Sequence, residues 1–204
     1  MINPTFIETY CKIQDGKVSL DGKVVYANDI KAFPEFSKGT YNFLEVNYTK
    51  FFKMDSVSKL AFIGAELILK TEIGTQKNQN IALLFANRSS SLDTDVKHQQ
   101  SISDKQNYFP SPAVFVYTLP NICLGEISIR HQLKSENSFF IFDAFNTTFM
   151  AAYANILLET KKADKVLCGW VEYFEESYTA FCYLVSKQGT IHHNPQTLEI
   201  LFNK

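Results

Sequence analysis

SPAVFVYTLPNICLGEISIRHQLKSENSFFIFDAFNTTFMAAYANILLETKKADKVLCGWVE, residues Ser111 to Glu172, is the stretch whose reading decides the fold. It predicts helix, strand, helix and strand in turn. At its centre, Phe142-Asp143-Ala144-Phe145-Asn146, an apolar run stops and a helix begins. A helix N-terminus presents free backbone N–H groups that favour negative charge, and a junction of this kind can hold a reactive side chain there. The middle residue here is Ala144, whose methyl group offers no chemistry.

Upstream, Asn80–Ala86 (NIALLFA) is a continuous apolar run of strand length, the pattern of a strand covered on both faces. Ser138–Phe142 (SFFIF) reads the same way. Lys165–Val171 and Tyr178–Ser186 are two further strands, and Thr5–Ile13 is a first one. Gly16 and Asp21-Gly22 mark turns around a hairpin of Lys17–Leu20 and Lys23–Tyr26. Asn28–Phe52, aromatic and irregular with Pro34 and Gly39, reads as a long surface excursion pinned by Phe33, Phe36, Tyr41 and Phe43.

Asp55-Ser56 caps a helix running to about Thr71 and stopped by Gly74. Gly64 allows its close approach to a neighbour. A polar loop, Asn87–Asp95, follows the Asn80–Ala86 strand at its C-terminal end, where ligands bind in open α/β sheets. It also reads as a capping loop into a helix Asp95–Ser103. A helix from Ala113 to about Leu133 is interrupted by Pro120. Asn146 or Thr147 caps the next helix, to about Thr160, which packs through Met150, Ala151, Ala154, Leu157 and Leu158. Pro195–Phe202 supplies one or two last helical turns. In outline the order is βαβαβαββ, an α/β plan with a largely buried mixed sheet and helices on its faces.

The bulk properties fit. The 204 residues can bury a real core as a single domain spanning 1–204, with 46% hydrophobic and 20% charged residues. The net charge of −1 gives no field to recruit nucleic acid or an anionic membrane. Arg88 and Arg130 are the only arginines, few for gripping phosphates. Cys11, Cys123, Cys168 and Cys182 form no CxxC pair and read as buried reduced thiols. No signal-peptide pattern and no apolar run of membrane-spanning length occurs, so the expected location is cytoplasmic.

SPAVFVYTLPNICLGEISIRHQL resembles the segment of β-ketoacyl synthases in which Ser-Pro begins a helix and Leu-Pro-Asn sits at its middle. ADKVLCGWVE resembles their strand ending in a small residue, another residue or two, and Glu; SKLAFIGAELIL resembles their first long helix. These matches cover most of Phe51–Glu172 in the family's order. They are most similar to the β-ketoacyl synthase-like N-terminal domains of aryl-polyene and flexirubin-type pigment clusters. The resemblance implies the thiolase-like fold, in which two βαβαβαββ halves pack as layers, and condensation of acyl groups carried on acyl carrier protein.

Two departures matter. The resemblance places the family's nucleophilic cysteine at Ala144, beside Asp143, Phe145 and Asn146; a thiolate attacks an acyl thioester and a methyl group cannot. The family's two histidines lie in a second half without counterpart here, and His192-His193 sit beyond the fourth strand, as exposed residues or partners of the C-terminal segment. No catalytic residue is therefore assigned, and the enzyme reading leans to no.

Asp143 reads as a cap or dipole partner. Cys123 and Cys168 read as core. His98 and His131 lack metal-ligand spacing, so no metal site is expected. Ser89–Ser91 are not in a GxSxG elbow, and no phosphate-binding glycine loop occurs, so no cofactor is expected.

The resemblance thus implies a non-catalytic subunit. It forms a homodimer or a heterodimer with a β-ketoacyl synthase through Ser138–Phe142 and the following helix, in fatty-acid or polyketide biosynthesis, with acyl carrier protein as a further partner. The alternative is a small protein that binds acyl carrier or acyl thioester near Asn87, Arg88, Ser89, Phe142 and Phe149. There Phe142, Phe145 and Phe149 either line a pocket or fill it. No residue constellation supports an unrelated enzyme on the scaffold.

Overall fold

The strands set the frame. The computed structural model describes residues 4–30, 32–73 (backbone alone for 71–73), 79–106 and 108–204; Gly74, the expected helix stop, lies outside them. The strands are β1 (Phe6–Gln14), β2 (Lys17–Leu20), β3 (Lys23–Ala27), β4 (Ile81–Asn87), β5 (Asn137–Ile141), β6 (Lys165–Phe174), β7 (Ser177–Ser186) and β8 (Ile191–His192). They form one sheet in the order β3-β2-β1-β7-β6-β4-β5, with β8 pairing on β1. β4 lies parallel to β5 and β6, while β7 runs antiparallel to both β6 and β1. β4 is buried at every position, and β6 and β7 at nearly every one, as continuous apolar runs require.

The helices are α1 (Phe33–Phe43), α2 (Ser56–Ile73), α3 (Leu92–Ser103), α4 (Pro112–Val116), α5 (Ile122–His131), α6 (Thr147–Glu159) and α7 (Pro195–Asn203). One sheet face packs against α1, α2 and α5 through residues such as Phe36, Leu60, Ile63 and Ile127. The other packs against α6 and α7 through Met150, Ala154, Leu157, Leu198 and Leu201. The expected βαβαβαββ order thus holds as β1, α2, β4, α3–α5, β5, α6, β6 and β7, with the β2–β3 hairpin added after β1. Pro120 separates α4 from α5, as its missing N–H dictates. A Cβ at Gly64 would stand 2.6 Å from Cys182 Sγ, so only glycine lets α2 lie this close to β7.

Three expectations are corrected. Asn28–Phe52 is not an irregular excursion, since it carries α1 and a 3-10 helix, Thr49–Lys53. Pro34 sits in the first turn, where its missing N–H costs nothing, and Phe33, Phe36, Ser37 and Thr40 bury one helical face. Phe43 does not pin the segment, being 45% exposed. The second correction is that α3 begins at Leu92, three residues before Asp95, because Thr94 buries and its Oγ1 donates to Asp55 Oδ2 at 3.2 Å. The third concerns Ser138–Phe142, which is not covered on both faces: β5 is half-buried because it is the last strand of the sheet.

α2 and α5 are joined by a buried ion cluster. Glu66, 1% exposed, receives Arg130 Nε at 2.6 Å, and His131 Nε2 lies 3.2 Å away. Burial raises the Glu66 carboxyl, but His131 and Arg130 together hold it below the ordinary carboxylate range. Arg130 also stacks over Tyr48, 5.5 Å from the ring centre. Arg130 and His131 are therefore occupied in holding the fold.

Candidate functional site

The end of β5 leads into the junction singled out by its sequence. Phe142 N–H donates to Asn87 O at 3.0 Å, closing the strand pairing. Asp143 and Ala144 follow as an exposed bend, and Asn146 caps α6, its Oδ1 accepting from Phe149 N at 3.0 Å. Asn146 is thus the cap and Asp143 is not; Asp143 points to solvent without a polar partner among the described residues. Ala144 stands two residues ahead of that cap and is exposed.

No thiol stands at this junction, since all four cysteines are buried. Burial pushes the Cys123 and Cys168 thiols up; hydrogen bonding to Cys11, and burial, do the same to Cys182. Among the described residues no group of three or more His, Cys, Asp or Glu could hold a metal.

The loop after β4 is consumed by the fold. The Glu172 carboxylate, at the end of β6, accepts Arg88 N at 2.7 Å, Ser89 N at 3.1 Å and the Ser89 hydroxyl. Asn87 closes a turn on Ser90, donating through Nδ2 to Ser90 O at 2.8 Å and accepting Ser90 N at 2.9 Å. The Asn87 amide, the Ser89 hydroxyl and the backbone N–H groups of Arg88 and Ser89 thus already have a carboxylate or a turn partner, while the Arg88 side chain is exposed. Sequence reasoning assigned no role to Glu172; its signal was an acid ending an apolar strand beside a polar loop.

The phenylalanines divide into two groups. Phe145 packs on Trp170, Phe181 and Phe202, with centroids at 5.9, 5.8 and 4.9 Å, under α7. Phe142 and Phe149, 5.0 Å apart, belong instead to a stack at the sheet edge with Phe140 and Tyr153. Phe149 lies 4.7 Å from Phe140, and Tyr153 Oη donates to Glu136 Oε1 at 2.9 Å. The three phenylalanines therefore do not line one pocket. Cavities of about 740, 580, 350 and 340 Å³ lie elsewhere, none lined by Phe142, Ala144, Phe145 or Phe149.

What this region presents is a surface. β5 pairs with β4 on one side, from Leu83↔Asn137 to Asn87↔Ile141, and ends the sheet on the other. Its sequence, NSFFI, carries no charge and no proline. Ile141 is 48% exposed, and Ile156 of the neighbouring helix α6 is 54% exposed. An uncharged, apolar strand edge is a template for pairing with another chain.

Of the two His residues near the C-terminus, His192 is exposed in β8 with its ring 5.0 Å from Phe6. His193 is buried; its N–H donates to Thr5 O at 3.0 Å, and Nδ1 lies 3.2 Å from Thr5 Oγ1 and 3.3 Å from Asn155 Oδ1. Burial lowers its imidazole to about 4.

The architecture is the fold seen in ketosynthases and their chain length factors. Among solved structures, the chain is similar to the ishigamide ketosynthase/chain length factor, with TM-score 0.64 and 15% identity over 90% of this chain and 62% of that one. A ketosynthase, ApeO, in complex with its chain length factor, ApeC, from Xenorhabdus doucetiae matches with TM-score 0.62 and 15% identity over 91% and 80%. AntDE:AntF, a type II PKS acyl-carrier protein in complex with its ketosynthase, matches with TM-score 0.63 and 12% identity over 97% and 65%. The chain spans less than two thirds of the first and third of these. No family model and no curated protein sequence matches it. Among the described residues no helix is long and apolar enough to cross a membrane.

Proposed function

We propose that this chain is a non-catalytic ketosynthase-like subunit, acting as one domain over residues 1–204 and pairing in the cytoplasm with a β-ketoacyl synthase of fatty-acid or polyketide biosynthesis, of the aryl-polyene or flexirubin type. One observation carries the reading: the β5 edge, uncharged and flanked by the Phe140–Phe142–Phe149–Tyr153 stack, runs straight into Ala144, which lacks a nucleophile. Complexes of a ketosynthase with a chain length factor among the similar structures support a ketosynthase as the partner. The interface is then β5 with α6, aromatic at its centre, as stable interfaces are.

Co-expression with each ketosynthase of the same organism tests this, with mass read by light scattering after size exclusion. A one-to-one complex with a ketosynthase is expected. A stable monomer that retains none of them contradicts the proposal, and a homodimer alone shifts the partner to a second copy.

A second reading, a protein binding acyl carrier or acyl thioester without condensing it, draws on the carrier complex among the similar structures. Titration with acyl-loaded carrier protein in a calorimeter separates the two, because a ketosynthase partner alone predicts no heat.

A further inference from the structure

Away from the β5 edge, a cavity of about 340 Å³ opens where the first turn of α2 meets α3 and α4. Its walls are Pro34, Met54, Ala113, Val114 and Tyr117, and its polar lining is Lys53, Asp55, Lys59, Thr94 and Lys97, with Ser56. That volume is at the lower end of small-molecule sites, which combine apolar walls with a few polar groups.

The distribution of charge inside it is uneven. Asp55 is taken by the fold: Oδ1 accepts Ser58 N at 3.0 Å and Oδ2 accepts Thr94 Oγ1 at 3.2 Å. Tyr117 Oη donates to buried Glu126 at 3.0 Å, and Glu126 also meets Lys50 at 2.9 Å. Lys97 pairs with Asp93 at 2.6 Å. Lys59 is half-buried, and no carboxylate lies within 4.0 Å of its Nζ among the described residues. A partly desolvated ammonium that faces free space and lacks a bonded anion is costly unless a ligand supplies one. Burial first, and Lys97 nearby, lower the Lys59 amine, whereas Asp55 opposes that shift without bonding to it.

We infer that this cavity binds a compact organic anion, its charged group on Lys59 with Lys53 at the mouth and its apolar body against Met54, Val114 and Tyr117. The site is separate from the subunit-pairing surface and does not rest on it. A carboxylate and a phosphate monoester share the required chemistry, and the probes tell them apart.

The test is calorimetric titration of the intact chain with benzoate, octanoate and phenyl phosphate, with benzyl alcohol as the uncharged control. Saturable one-site binding of at least one anion is expected, with none of the alcohol. Lys59→Met should weaken it about tenfold, the effect of losing one charge-assisted contact. Lys59→Arg should retain it, Val114→Trp should abolish it by filling the space, and Lys23→Met on the distant hairpin should leave it unchanged. Circular dichroism of each variant certifies its fold. Absence of binding by all three anions, or unchanged affinity in folded Lys59→Met, overturns the assignment.

Discussion

The two ends of the sheet differ in how they treat water and other chains. At one end, β3 is five residues long, opens with Lys23 and follows a register shift between Val18 and Ser19. Shortness, a lysine and an irregular register are the devices that stop an edge strand from pairing. At the other end, β5 is also short but uncharged and regularly paired, with aromatic residues of α6 beside it. Both edges expose apolar residues, Val24 at 61% and Ile141 at 48%, so exposure alone does not distinguish them. Charge and regularity do, and they are why the proposed pairing is placed on β5.

The largest effect should come from charging one edge and then the other. Ile141→Lys on β5 should weaken the ketosynthase complex by about thirtyfold or more, the scale of a central interface residue. Val24→Lys on β3 should leave it within about twofold, the scale of a solvated rim position. Surface plasmon resonance on both variants measures the difference, and equal losses would erase the distinction between the edges.

The next effect is pH-dependent and confined to the side of the sheet that includes β1 and β8. His193 is held neutral by burial, its value lowered from 6.5 to about 4, so the unfolded chain takes up the proton first. Its contribution is therefore complete above about pH 6.5 and is lost as pH falls toward 4, by about 3 kcal/mol at most. Denaturant midpoints at pH 7 and pH 4.5, compared between the native chain and His193→Gln, read this out; the variant should lose the part of the slope due to this group. Hydrogen exchange should quicken first at His193, which bonds Thr5, and at the adjoining Phe6↔His192 and Ile7↔Ile191 pairs, and not at the β4–β5 pair.

Smaller still is Gly39→Ala in α1, where a Cβ would clash with Tyr26 Oη of β3. Tyr26 must shift, at a cost of about 1–2 kcal/mol, partly offset by the better helix propensity of alanine. Melting temperature should fall by a few degrees, while the proposed pairing through β5 expects ketosynthase affinity to stay unchanged. Lost affinity in this variant would tie the two ends together.

Much of this was legible in the chain. Continuous apolar runs marked β4, β6 and β7 because burial on both faces leaves no room for alternation, and of the two expected caps, Asn146 and Thr147, the structure selects Asn146. The failures were tertiary. SFFIF has the composition of a central strand, and only the order of strands reveals that nothing covers its outer side. α1 was obscured by Gly39 and Pro34, each a helix breaker in isolation; one is accommodated by the Tyr26 hydroxyl and the other by the first turn. The polar loop Asn87–Ser89 looked like a ligand cradle because its partner, Glu172, lies 83 residues away in sequence from Ser89. Phe145 parted from Phe142 and Phe149 because, past the exposed bend at Asp143-Ala144, it packs inward on the same sheet face, against β6, β7 and α7, while they stay at the β5 edge.

Hydrogen–deuterium exchange of the chain, alone and saturated with its ketosynthase, tests the central claim most directly. Slowed exchange is expected in Asn137–Phe142 and along α6, with no change in Lys23–Ala27. Unchanged exchange at β5 on forming the complex, or protection appearing at β3 instead, would contradict it.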